Sequence, residues 1–379
     1  MRRPWGAGEE RPSFIMLREV IKIMQEITVT RTTTPRERVP EDQLGFGKVF
    51  SDHMFMMNYD AGEGWHDPRI VPYGPIELMP CANVLHYAQE IFEGLKAYRT
   101  AQGHIQLFRP TENIARMNNS AARLCIPHIP EDVYLEGMKR LVAVDADWVP
   151  HSFGTSLYLR PFVIATDAVL GVHAGNHYLF CIICSPSGSY YAEGINPVKI
   201  LIESRDVRAV RGGTGYAKCG GNYAASMRAG QVAEQKGFSQ VLWLDGVHMK
   251  YIEEVGAMNV MFKIGGKIIT PDISGGSVLP GITRKSCIQV LRDWGYAVEE
   301  RELSVEELIE ASENGTLEEA WGCGTAAVIS PIGLLAYQDK EHVIAGGKIG
   351  ALTQRLYDEL TGIQWGVLPD TRGWIVSVI

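Results

Sequence analysis

No run of apolar residues in this chain approaches the about 20 that a membrane-spanning helix needs, and no internal repeat or low-complexity tract interrupts it. Surplus positive charge is also missing. The 36 Lys and Arg stand against 44 Asp and Glu, a net charge of −8. That balance argues against nucleic acid or an anionic membrane as a partner. Cysteine is scarce and odd in number, with seven thiols at 81, 125, 181, 184, 219, 287 and 323 scattered through apolar segments. Such a pattern reads as reduced intracellular thiols rather than a disulfide framework. Cys181 and Cys184 have C-x-x-C spacing, but they lie in the strand-like run HYLFCIICSP. Strand alternation sends i and i+3 to opposite faces, so neither a redox pair nor a metal site is expected. The N-terminus mixes acidic and basic residues, including Glu9 and Glu10, and lacks an apolar core with a cleavage site. A signal or transit peptide is therefore not read, a cytoplasmic location is expected, and Met16 or Met24 are alternative starts.

What remains is an ordinary soluble composition, 46% hydrophobic and 21% charged, with length for about two or three domains. From residue 45 or so, short strands alternate with helices. LFRPTENIARMNNSAARLCIP predicts a helix capped by Thr111, with an apolar stripe of Ile114, Met117, Ala121 and Leu124. A second helix is predicted from Pro130 to Val144, and SLYLRPFVIAT and HYLFCIICSP read as strands. The polar, proline-broken stretch SGSYYAEGINPV, 187–198, reads as a domain boundary. Beyond it come a strand, VKILIES, a glycine-rich loop, and a helix capped by Asn222 that stops at Gly237. Hairpins are predicted at Asp245-Gly246 and Gly265-Gly266, a helix near Gly281, and a capping box from Ser304 and Glu307.

Several groups could carry chemistry. RGGTGYAKCGGNYAAS, 211–226, sets Lys218 among five glycines. Cys219 after the lysine rules out a P-loop. Two readings stay open: a Schiff-base lysine, and a flexible loop with a solvated lysine. In GSVLPGITRKS, Pro280-Gly281 precedes a helix whose first turn offers the N–H groups of Ile282 and Thr283. That is either an anion site or an ordinary helix start. WGCGTAAVISPIG offers the Thr325 hydroxyl after Gly324, as a second cradle or as a packed tight turn. YIEEVGAMN ends a strand on Glu253 and Glu254, and alternation allows at most one of them to point inward. Both could be solvated, or one could meet a protonated ring nitrogen. Arg116, on a helix flank with Ser120 and Arg123, is a solvated arginine by default, and Tyr223 either shares the lysine's site or belongs to the core. Arg160 stands inside an apolar strand, where a charge is costly unless paired, and is a candidate for a ligand carboxylate.

Taken in order, GTGYAKCGGNYAAS, EEVGAMN, LPGITRKS and GCGTA resemble the branched-chain amino acid aminotransferases of PLP fold type IV. FGKVFSDHM, LHYAQEIFEGLKAYR, LFRPTENIARM and SLYLRPF resemble the same family in the same order, so the likeness runs from about residue 41 to the C-terminus. It implies a mixed α+β, α/β fold of two domains. An extension at 1–40 would precede a smaller α/β domain at 41–186, then an interdomain loop at 187–198 and a larger barrel-like domain at 199–379.

The same resemblance implies that Lys218 forms the Schiff base with pyridoxal 5'-phosphate, while Tyr223 bonds the ring oxygen and Glu254 faces the ring nitrogen. Arg116, the backbone at Ile282 and Thr283, and Thr325 would hold the phosphate, with Leu279 packed on the ring. Phe46, Tyr87, Phe92, Tyr158, Tyr190 and Ala326 would form the substrate pocket, and Arg160 would take the distal carboxylate of glutamate. Two departures stand out. Ala257 replaces a threonine of the animal enzymes, leaving Tyr87 and backbone N–H groups for the substrate carboxylate; Ala327 and Ser330 replace a redox C-x-x-C, so no thiol switch is expected. The implied reaction is transamination between leucine, isoleucine or valine and 2-oxoglutarate, in a homodimer with a partner residue reaching the site. A D-amino acid aminotransferase or aminodeoxychorismate lyase would share the lysine and the glutamate. A nucleotide-binding module without PLP lacks a P-loop and leaves EEVGAMN unexplained.

Overall fold

Alternating β-branched and aromatic side chains build two layers of sheet, and the site lies where they face each other. The computed structural model describes residues 26–188 and 195–379. The first half supplies β1 (Thr28–Val29), β2 (His53–Asp60), β3 (Gly64–Pro72), β4 (Glu90–Phe92), β5 (Leu95–Arg99), β6 (Ile105–Phe108), β7 (Ser156–Ala165) and β8 (His177–Ser187). They stand in the order β1-β3-β2-β8-β7-β5-β6, with β4 on β7, and the C-terminal strand Ile375–Ser377 returns to pair with β6. Helices α1 (Asn83–Tyr87), α2 (Pro110–Arg123) and α3 (Glu131–Val144) belong to this half. Ile114, Met117 and Ala121 of α2 and Tyr134, Met138 and Leu141 of α3 pack against Phe55 and Phe180, the core of this layer.

The second half supplies β9 (Val198–Ile202), β10 (Gln240–Leu244), β11 (Ile252–Val255), β12 (Asn259–Ile264), β13 (Lys267–Thr270), β14 (Val298–Glu300), β15 (Leu317–Gly324), β16 (Val328–Tyr337) and β17 (Lys340–Val343). Their order is β11-β10-β9-β16-β15-β12-β13-β14, with β17 on β16. Because β11 passes to β12 through a tight link bridged by Val255 and Met258, the sheet curls back on itself into a barrel-like shape. Its helices are α4 (Gly220–Gln235), α5 (Ile282–Asp293), α6 (Val305–Glu313) and α7 (Ala351–Gln364). Tyr98 and Phe108 of the first sheet join Trp321 of the second, Leu291 of α5 and Leu356 of α7 in one buried cluster, so the halves share core.

Several local expectations change. Helix α2 is capped by Arg109 in the left-handed region rather than by Thr111. Helix α4 begins at Gly220, placing Asn222 inside its first turn, where its side chain does other work. The link after Asp245 is no two-residue turn: the Asp245 carboxylate gathers the N–H groups of Val247, His248, Lys250 and Tyr251. The Gly265-Gly266 turn is as expected, both residues having positive φ. Ser304 caps α6 by accepting from Glu307 N, while the Glu307 carboxylate pairs with Arg301 instead of closing the box. Of the expected boundary loop, Ser187 ends β8, Val198 begins β9, and 189–194 lie outside the described residues. Among the described residues no helix is long and apolar enough to cross a membrane.

Candidate active site

Lys218 is placed by its neighbours' backbone and polar groups. From α4, the Asn222 amide donates to the carbonyls of Thr214 and Ala217, both at 2.8 Å, and accepts from the Thr214 hydroxyl. From α2, Ser120 Oγ accepts the Lys218 N–H at 2.9 Å, and Arg123 holds the carbonyls of Gly212 and Gly213. Phe92 N donates to the Lys218 carbonyl at 3.0 Å. The glycines answer a spatial need. A Cβ on Gly215 would lie 2.2 Å from the Ser277 carbonyl oxygen, so only glycine allows that approach.

The amine meets the Tyr223 hydroxyl at 2.6 Å and lies 4.8 Å from the centre of the Phe92 ring. Burial, reinforced by the charge of Arg116, pushes Lys218 down to about 8. A neutral amine is therefore within reach close to physiological pH.

Both carboxylates of β11 are buried, against the expectation that at most one would be, because both faces of the strand are covered. Glu253 accepts from Ser277 Oγ. Glu254 accepts from Leu279 N at 2.7 Å and meets Arg208 Nε at 3.2 Å. Burial raises the pKa of Glu254, with Arg208 opposing it.

Helix α5 starts at Gly281 with no side-chain cap. The N–H groups of its first turn are thus free for an outside acceptor. One cavity is lined by Arg116, Lys218, Glu254, Ala257, Leu279, Ile282, Thr283 and Thr325, gathering the residues expected around a cofactor. A second, lined by Tyr223, Arg208, Glu254, Ala257 and Leu279, shares three of those walls. An amine beside a phenol, a buried carboxylate and an uncapped helix start are the donor set that an aldehyde, a ring nitrogen and a phosphate require.

Arg116 is not solvated. It is buried and forks onto Glu93, with both contacts at 2.8 Å, while its third nitrogen reaches the Pro280 carbonyl. Burial opposes charge on Glu93, yet Arg116 holds its carboxyl below the usual range. Much of the arginine's charge is committed, so the helix start and the hydroxyls would share an anion's load. The sequence reading missed Glu93, although a carboxylate inside the apolar run EIFEGL was a signal. It also missed Arg208 behind Glu254, and Glu90, which accepts from Gly220 N at the start of α4.

On the other side, Arg160 donates to the Tyr158 hydroxyl at 3.2 Å and lies 4.8 Å over Phe92. Its buried Nε has no partner, an edge still open to an acceptor. Phe46 meets Tyr158 edge-on at 4.9 Å. Ala326 contributes its carbonyl, taken by Lys96. Phe46, Phe92, Tyr158, Arg160 and Ala326 line neither cavity, but Phe92 touches Lys218 and Tyr223 while Arg160, Tyr158 and Phe46 cluster beside it. Tyr87 also lines neither, and is 41% exposed on α1 with its ring against His86. Tyr190 lies outside the described residues.

The model of the family Amino-transferase class IV matches residues 90–335. Branched-chain-amino-acid aminotransferase 2 of Bacillus subtilis (strain 168) is 56% identical over 354 residues, 93% of this chain and 97% of that protein. Among solved structures, a branched-chain amino acid aminotransferase of Escherichia coli is 26% identical with a TM-score of 0.72, covering 86% of this chain and 99% of that one. The branched-chain amino acid aminotransferase of T.th., solved with pyridoxamine 5'-phosphate, is 27% identical with a TM-score of 0.71, covering 85% and 98%.

Proposed function

This chain belongs to the class IV aminotransferases, and from that premise we propose that it moves the amino group of L-leucine, L-isoleucine or L-valine to 2-oxoglutarate. It is an aminotransferase whose cofactor is pyridoxal 5'-phosphate. The observation that carries the assignment of residues is the single cavity holding Lys218, Glu254 and the uncapped start of α5. Tyr223, Glu254, Leu279, Arg116, Ile282, Thr283 and Thr325 would hold the cofactor, with Lys218 as its covalent anchor. When bound, the cofactor supplies an electron sink that lets the substrate Cα lose its proton.

The chain's residues do the rest. Lys218, held to about 8, can take a proton and return it. The Tyr223 hydroxyl at 2.6 Å orients the amine. Glu254, fixed by Leu279 N and Arg208, presents a carboxylate to a cationic ring nitrogen. Phe46, Phe92 and Tyr158 form apolar walls. Such walls separate substrates by only about 1–3 kcal/mol per methylene, so all three branched amino acids serve. The open edge of Arg160 takes the distal carboxylate of glutamate.

The enzyme works as a cytoplasmic homodimer, a reading supported by its free cysteines and by exposed apolar side chains at Met79, Leu85, Leu170 and Val172. Tyr87, exposed beside that patch, would serve the site of the second copy. The domain division at 187–198 stands as part of the same reading.

The test is the visible spectrum of the holoprotein, with L-leucine, with D-alanine, and in Lys218→Ala. Bleaching of the yellow band by leucine alone, lost in the variant, is expected. Bleaching by D-alanine alone would move the substrate class, and normal turnover by Lys218→Ala would remove the lysine from its role.

A further inference from the structure

Lys96 lies on β5, in register with Tyr158 of β7, and therefore on the same face of the first sheet. It is only 8% exposed, and burial pushes it down to about 8. Among the described residues no carboxylate comes within ion-pair distance of it. Its partner is the Ala326 carbonyl oxygen at 2.7 Å. An ammonium enclosed with one neutral acceptor is a costly way to fill space, and a methionine of similar length would fill it without desolvating a charge. The contact must therefore do something that packing cannot.

Where it leads is informative. Ala326 follows Gly324 and Thr325 in the turn between β15 and β16, and Gly324 and Thr325 line the cavity of Lys218. Strand β5 belongs to the first sheet and the turn to the second. The bond crosses the cleft between them. Lys218, Tyr223 and Glu254 sit on other segments and would not move with this turn.

We propose that Lys96 is a positioning residue, a strap that fixes the Gly324–Ala326 turn against the first sheet so that Thr325 and the turn backbone stand ready for the cofactor phosphate and the substrate carboxylate. This rests on the assignment of the cavity given above. Loss of the strap loosens binding at both groups and leaves the proton-transfer residues in place.

The experiment compares wild-type, Lys96→Met and Lys96→Arg holoprotein. In the methionine variant, pyridoxal 5'-phosphate should dissociate about tenfold faster, and KM for leucine and for 2-oxoglutarate should each rise about tenfold, equivalent to about 1.4 kcal/mol. Its kcat should stay within about twofold, and the apoprotein should melt no lower than wild type. Inorganic phosphate should raise the melting temperature of its apoprotein less than that of wild type. Arginine, which keeps a charged donor, should restore much of the loss. Unchanged cofactor retention and KM in Lys96→Met would overturn the strap. So would a lower melting temperature that arginine does not rescue, which means packing alone, or a KM rise confined to 2-oxoglutarate, which means direct contact with the distal carboxylate. If wild type fails to respond to leucine, the functional reading falls, while the phosphate shift and cofactor retention still decide the strap.

Discussion

A lysine that must give and take protons near neutrality has to be held well below its value in water. Burial does this at Lys218, and it pushes Lys96, which takes no part in proton transfer, down to about 8 as well. The consequence for stability has a definite sign. Each lysine is easier to deprotonate in the folded chain, so between about pH 8 and about pH 10.5 the unfolded chain holds protons that the folded one has released. Stability from these groups therefore rises with pH through that window, and below about pH 8 the burial cost is borne in full. Tyr98, Tyr134 and Tyr223 pull the other way, since burial raises their pKa values and the folded chain keeps their protons longer. The lysine effect is isolated by difference. Urea unfolding of apoprotein should show the stability of wild type gaining on that of Lys96→Met by up to about 1.4 kcal/mol per pH unit between pH 8 and pH 10. A gap that stays flat would mean that Lys96 titrates as it does in water. That Lys218 and Tyr223 come together was legible in the sequence because five residues separate them, across a loop and the first turn of α4, and that Glu254 and Thr325 join one cavity because their motifs fall in order. Lys96, Glu93 and Arg208 were not. The acceptor of Lys96 lies 230 residues away, and periodicity reports which face a residue occupies, not what folds against that face.

Elements repeat the distinction between local and distant causes. The Gly265-Gly266 hairpin, the α6 start at Ser304 and the end of α4 before Gly237 follow from short-range backbone preferences, and the structure agrees with them. Thr111 failed as a cap because Arg109 in the left-handed region starts α2 sooner, with Pro110 as its first residue. Asn222 failed as a cap because its amide is engaged with Thr214 and Ala217, which makes it the clamp on the lysine loop. The loop's glycines divide likewise. Gly212 is required for its positive φ, whereas Gly215 is required for space, and only the structure shows what fills that space. In Gly215→Ala the new methyl would meet backbone at Ser277, which cannot swing aside as a side chain would. Leu279, two residues on, donates to Glu254, so the displacement would reach the carboxylate as well as the lysine. Fluorescence titration of the apoprotein with pyridoxal 5'-phosphate should show affinity weakened at least tenfold, a cost of about 1–3 kcal/mol of strain. An affinity within twofold of wild type would mean that the loop can shift without consequence.

At the scale of the whole molecule, the fold leaves apart one residue that the sequence resemblance assigns to the substrate pocket. The segment around α1 is tied to 167–171 by the Ala82–Ala168 bridge and by bonds from Asn83 to the carbonyls of Asp167 and Gly171. Together they expose Met79 at 61%, Leu85 at 59%, Leu170 at 69% and Val172 at 84%. Apolar side chains gathered on neighbouring segments are the kind of surface that a soluble chain covers by association. Tyr87 stands at the edge of this patch, away from the cavity its sequence context assigned it to. A second copy seated on the patch accounts for both facts, by covering the apolar groups and by carrying each Tyr87 toward the other chain's site. Charge placed in the patch separates the two roles. Leu85→Asp with Leu170→Asp should sediment at 42.0 kDa, and wild type at about twice that mass. The variant should keep its yellow band, because the residues proposed to hold the cofactor line cavities within one chain. Its KM for leucine should rise about tenfold or more for want of the partner's tyrosine. Tyr87→Phe should remain dimeric while losing part of the same affinity. A wild type that sediments at 42.0 kDa and turns over leucine normally would dispose of the second copy, and Tyr87 would then have no part in the site.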